Sequence, residues 1–216
     1  MNEITIGMAV LDFIPVVLFL FSCLILKEDL KTKMTKNFNL MFIAGFSLIS
    51  LGGLLKCIWK FLYALNIGDF TVLSEIMFPL HGIGFMSMFI SLLLMLRSPE
   101  LPETIEDEEK VTERSSLPAI SLASVKLPFL TLMIIGTLGF VVCLIRICLK
   151  MDKKEFIRHF ITYYICMLGM SVLGAKFDNN SLMHWYAQLI NIAGQVALFV
   201  GIYQLHGAGL ARRNKL

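Results

Sequence analysis

The chain alternates long apolar runs with short polar breaks. Six runs approach or exceed the about 20 residues that a helix needs to cross a bilayer core. They cover residues 8–26, 38–65, 72–96, 127–149, 156–175 and 182–205. The second is uncharged as far as Leu55 and then carries Lys56, Trp59, Lys60 and Tyr63, an interfacial end. A membrane segment must satisfy its own backbone amides, which favours helices. No run shows the alternating ten-residue pattern of a membrane barrel. The predicted fold is an all-α integral membrane protein with six transmembrane helices.

Two breaks, 66–71 and 176–181, have room only for tight hairpins. A longer break carries Glu100, Glu103, Glu106, Asp107, Glu108, Glu109 and Glu113. Its charge density predicts a solvated linker rather than a domain. The apolar stretch 117–125 is too short to span and is expected to lie along the interface before the fourth helix. The organisation read from this pattern is a first transmembrane half, 1–97, an acidic linker, 98–126, and a second half, 127–216, with a short basic tail.

The two halves share a layout. Lys27-Glu28-Asp29-Leu30-Lys31 matches Lys150-Met151-Asp152-Lys153-Lys154 in position, and Ser50-Leu51-Gly52-Gly53 matches Ser171-Val172-Leu173-Gly174. A duplication of three helices would invert the second copy and give a two-fold axis in the membrane plane. Chance similarity between apolar segments is the alternative.

Composition agrees with the pattern. The chain has 216 residues, 57% hydrophobic and 16% charged, and a mean hydropathy of +0.77. Soluble domains carry about 25% charged residues, so an ordinary globule is excluded. A net charge of +3, spread over loops, gives no face for nucleic acid. The five cysteines form no C-x-x-C pair, so no metal site or disulfide framework is expected.

With the linker on one side of the membrane, the basic residues divide almost evenly. Ten fall on the side of the termini: Lys56, Lys60, Arg146, Lys150, Lys153, Lys154, Arg158, Arg212, Arg213 and Lys215. Nine fall opposite: Lys27, Lys31, Lys33, Lys36, Arg97, Lys110, Arg114, Lys126 and Lys176. Discounting Lys110 and Arg114 in mid-linker leans the termini toward the cytoplasm. Dual topology is compatible with so even a division.

Polar groups at membrane depth are costly and therefore informative. His184, Gln188, Asn191 and Gln195 form one stripe of the sixth helix, opposite the small-residue ridge Ala193, Ala197 and Gly201. The stripe predicts a polar lining or, alternatively, interhelical glue. In the third helix, Pro79 removes an amide and Gly82 and Gly84 follow, so a kink or hinge is expected beside His81. Asp12, Glu75, Arg146 and Arg158 predict a charged vestibule, in which Asp12 or Glu75 pairs with Arg146, Arg158 or Lys56. Snorkelling and helix-dipole effects are the plainer account of these charges.

No catalytic or nucleotide-binding motif is present, and no cofactor is expected. The functional expectation is a small carrier or channel. It would move a small polar solute or ion through a midplane site between the third and sixth helices. His81, Gln188, Asn191 and Gln195 would bind, and Pro79, Gly82 and Gly84 would flex. The alternative is a non-transporting subunit docked on a membrane protein partner. The glycine face Gly45/Gly52 would serve a homo-oligomer or packing within the chain.

Overall fold

The computed structural model describes residues 5–97, 122–176 and 181–212. These residues form eight α-helices and no strand: α1 (Ile6–Leu11), α2 (Phe13–Leu30), α3 (Lys36–Ala64), α4 (Thr71–Glu75), α5 (Met77–Arg97), α6 (Leu122–Lys150), α7 (Ile157–Lys176) and α8 (Ser181–Gly207). Among the described residues, five helical stretches are long and apolar enough to cross a membrane: Ile6–Leu30, Lys36–Ala64, Thr71–Arg97, Pro128–Lys150 and Trp185–Gly207. The chain is therefore all-helical with the hallmarks of a multi-pass membrane protein. Between 28% and 44% of the most apolar window of each stretch is buried, so most of each window faces outward. Phe21, Leu40, Ile165 and Leu189 are among the large side chains left bare. In water such a surface would be an aggregation site; in a bilayer it is solvated by lipid.

Proline sets two of the boundaries. The first apolar run breaks at Asp12 and the third at Ile76, each three residues before a proline. Pro15 and Pro79 have no N–H, and each ring crowds the carbonyl four residues earlier. The helix is interrupted at Ile76, N-terminal to Pro79. Gly82 and Gly84 sit inside helix α5, in close contact with Phe129 and with Gly45 and Ile49. Pro128 is carried inside α6 without ending it. The segment 117–125 divides: Leu122–Val125 open α6, and 117–121 lie outside the described residues.

The turns have local causes. Thr35 caps α3 by accepting from Phe38 N at 3.4 Å. The helices α3 and α6 end alike, on Asn66 (φ 57°) and Asp152 (φ 56°), residue types that tolerate the left-handed region. Each satisfies two terminal carbonyls: Asn66 N to Tyr63 O and Ile67 N to Leu62 O, then Asp152 N to Leu149 O and Lys153 N to Cys148 O.

The long helices close a ring in chain order. α2 packs on α3, α3 on α5, α5 on α6, α6 on α7, α7 on α8, and α8 returns to α2. The two tightest crossings run through glycines. A Cβ on Gly45 would stand 2.8 Å from Gly84 O, and one on Gly136 would stand 2.7 Å from Met86 N. Such backbone approach is how helices associate where lipid offers no hydrophobic drive. The Gly45/Gly52 face is accordingly occupied by α5 of the same chain, not left for a second copy. The ring centre is filled. Phe19 and Phe85 meet edge to face at 6.0 Å, and Phe140, Phe160, Tyr163 and Met88 are fully buried.

Helix directions depart from the sequence expectation. α5 and α6 run parallel: Gly82 meets Phe129, Met86 meets Gly136 and Phe89 meets Gly139. α2 and α8 also run parallel, since Gln188 bonds Met8 near their starts and His206 bonds Asp29 near their ends. In the packed bundle the second half therefore runs in the direction of the first. Thr5 and Arg212 lie at opposite ends of the bundle.

Candidate functional site

The residues proposed to form one midplane site are dispersed. α5 and α8 share no packed interface; α5 lies between α3 and α6, and α8 between α2 and α7. His81 turns toward α3, where its ring fills the notch at Gly52; a Cβ there would meet His81 Nδ1 at 2.8 Å. Its Nδ1 lies 2.9 Å from Met77 O, one turn earlier. Gln188, buried, donates to Met8 O at 2.7 Å across to α1. Gln195, also buried, directs Nε2 at Met167 Sδ on α7, 4.0 Å away. Asn191 is half-buried between them in sequence. The side chain of His184 lies outside the described residues. Gln188 and Gln195 share a helix face, but they serve two different neighbours, α1 and α7, and neither meets His81.

The small-residue ridge of α8 is partly as expected. Gly201 accommodates Phe160 and His159 of α7, and Ala197 is buried, while Ala193 is exposed. Gly194, which falls outside that ridge, makes a closer approach: its added Cβ would stand 2.8 Å from Cys166 Cβ.

Of the charged residues expected to share a vestibule, the acids and the arginines lie at different ends. Asp12 and Glu75 lie at the end where α2 and α5 begin. Arg146 and Arg158 are exposed at the other end, where α6 finishes and α7 starts. Asp12 instead forms an ion pair with Lys60 of α3, both side chains largely shielded at 11% and 17% exposure. Cys57 adds a second tie there, its thiol donating to Asp12 O at 3.2 Å. The helix break before Pro15 is thus clamped to α3 by two side chains one turn apart.

A constellation that the sequence reading did not single out closes the opposite end. Asp29, with a side chain 2% exposed, accepts from His206 Nδ1 at 2.8 Å; its second oxygen, Oδ2, has no partner. Lys33 Nζ donates to Asp29 O at 3.0 Å and to Ala211 O at 3.2 Å. Burial holds the Lys33 ammonium below the usual lysine range, and the Asp29 charge opposes that shift. The clasp joins α2, α8 and the short 3-10 turn Leu210–Arg212, whose Leu210 is fully buried. A shallow hollow of about 300 Å³ opens beside it, lined by His206, Gly207, Gly209, Ala211 and Arg212. Asp29 was legible only as part of the charged run after the first span; its partner lies 177 positions away.

This same end gathers the cations. Lys27, Lys31, Lys33, Lys36, Arg97, Arg146, Lys150, Lys153, Lys154, Arg158 and Arg212 lie there. Lys56 and Lys60, with the helix positions of Lys126 and Lys176, mark the other end. Among the described residues, no cluster of His, Cys, Asp or Glu could hold a metal ion. No protein family, curated protein or solved structure matches the chain.

Proposed function

We propose that the chain is a six-span membrane subunit that moves no solute and acts by docking to protein in the bilayer. The sixth span is α7, 20 residues long, with Arg158 and His159 in its first turn and Lys176 at its end, where long side chains reach the headgroups. It lies against α8 along much of its length.

The single observation behind this reading is the filled ring. A path for a polar solute needs polar groups facing a shared space at mid-depth. Here Phe19, Phe85, Phe140, Phe160 and Tyr163 are buried in the bundle, Gln188 donates to Met8 O, and Gln195 directs Nε2 at Met167 Sδ while its Oε1 has no partner among the described residues. The bare apolar faces on Phe21, Ile165 and Leu189 remain for lipid or a helical partner.

Two measurements test the reading together. In native membranes, Asn191→Cys is expected to stay unreactive toward a small water-soluble maleimide. In liposomes, the purified chain is expected to add no flux of protons, potassium or small amines over empty vesicles. Labelling of residue 191 together with a flux reduced tenfold by His81→Ala would overturn it and restore the carrier reading.

A further inference from the structure

α5 and α6 run parallel, and so do α2 and α8. Arg97, the end of α5, and Leu122, the start of α6, therefore lie at opposite ends of the bundle. The 24 residues from 98 to 121 join them. Reach is no obstacle, since an extended chain of that length covers about 80 Å. Composition is. Seven acidic residues fall between Glu100 and Glu113, and a charged segment of this kind stays in water rather than passing through hydrocarbon. A linker confined to one face forces α6 to start where α5 ends, which inverts the second half relative to the first.

Charge supplies an independent observation. Each half alone has a clear bias. In the first, five cations lie at the end of α2 and two at its start; in the second, six lie at the end of α6 and two near its start. The positive-inside rule directs both of those ends to the cytoplasm. Joined by a one-sided linker, the two biases oppose each other. The whole chain is then divided almost evenly, ten against nine, and its bias toward either orientation is small.

We propose that the partner of this chain is a second copy inserted in the opposite orientation. The first half of one copy packs on the second half of its inverted neighbour through the pairings α5 with α6 and α2 with α8. Every helix direction in the fold is kept, each acidic linker stays on one face, and the dimer has a two-fold axis in the membrane plane. The Asp29–His206 clasp then joins the two copies. This inference rests on the six-span reading above.

The test uses the full-length chain. Carboxy-terminal reporters, one active only in the cytoplasm and one only outside, are expected to be active to within about threefold of each other. In a cysteine-free background, Asp29→Cys with His206→Cys is expected to give a covalent dimer under oxidation. A monomer closed by an internal crosslink, or a single active reporter, overturns the proposal. Should the cysteine variant fail to fold or to crosslink, the reporters on the unaltered chain decide alone. The six-span reading is checked separately by adding lysines after Thr5 to pin the orientation. On that variant, Asp152→Cys and Lys176→Cys label from opposite faces when α7 crosses and from the same face when it does not, whatever the state of the dimer.

Discussion

His206 Nδ1 donates to Asp29 Oδ1 at 2.8 Å, tying the last turn of α8 to the last turn of α2. The histidine is half exposed and the aspartate buried, with Oδ2 unpartnered. Removing the two members is therefore unequal. His206→Ala leaves a buried carboxylate short of its donor and is expected to cost about 1–3 kcal/mol. Asp29→Ala removes the buried group itself and is expected to cost less. Unfolding in mixed detergent, run as a double-mutant cycle, reads both values and a coupling above about 0.5 kcal/mol. Equal losses without coupling would mean that the contact contributes nothing.

Gly84 is the sharpest packing test. A Cβ at this position would stand 2.6 Å from Ile49 Cγ1 and 2.7 Å from Gly45 O. The carbonyl belongs to backbone and yields only if the helices separate. Gly84→Ala is expected to cost about 1–3 kcal/mol by overpacking. Gly207 ends α8 with nothing within 4 Å of its added Cβ. Gly207→Ala is expected to be neutral or to raise the melting temperature slightly. The two alanine variants, compared by thermal melting in the same detergent, should move in different directions.

Asp12 and Lys60 should answer to charge exchange. Asp12→Lys alone places two cations together in a partly shielded site and is expected to cost about 2 kcal/mol. Adding Lys60→Asp restores opposite signs and should recover about half of that loss. Arg146→Asp, at the other end of the bundle, should recover none of it. Rescue by Arg146→Asp would revive the vestibule expected from the sequence.

Ser91 offers a smaller, cleaner effect. Its hydroxyl is buried in α5 and donates to Phe38 O, near the start of α3, at 2.5 Å. Ser91→Ala removes one neutral hydrogen bond and leaves a carbonyl still bonded within its helix. The expected loss is about 1 kcal/mol, measured in the same detergent titration. No change would show that the carbonyl gains nothing from the hydroxyl.

Much of the secondary structure was legible because it depends on local chemistry. Apolar runs of spanning length must be helical where no water satisfies the backbone. Pro79 was expected to disturb the third helix through its missing amide; the interruption at Asp12 before Pro15 and the left-handed turns at Asn66 and Asp152 have equally local causes but were not expected. The polar stripe Gln188, Asn191 and Gln195 was legible as a stripe for the same reason, since helical spacing is intrinsic.

The neighbours of that stripe were not legible. A helix face does not name the helix it meets, and Gln188 finds α1 while Gln195 finds α7. Gly82 and Gly84 were expected to flex, and nothing local in the sequence says that Phe129 and Gly45 pack against them. The direction of the second half could not be read across a linker whose sequence carries charge but no orientation.

The sequence by itself determined that the chain is helical with runs long and apolar enough to cross a membrane, and which residues are costly to bury. Those properties follow from backbone satisfaction and transfer energies acting within one segment. Only the tertiary structure decided that His81 meets α3 while Gln188 meets α1, that Asp12 belongs with Lys60, and that Asp29 meets His206. Those pairings depend on close packing between segments far apart in the chain, where glycine notches set which helices can approach.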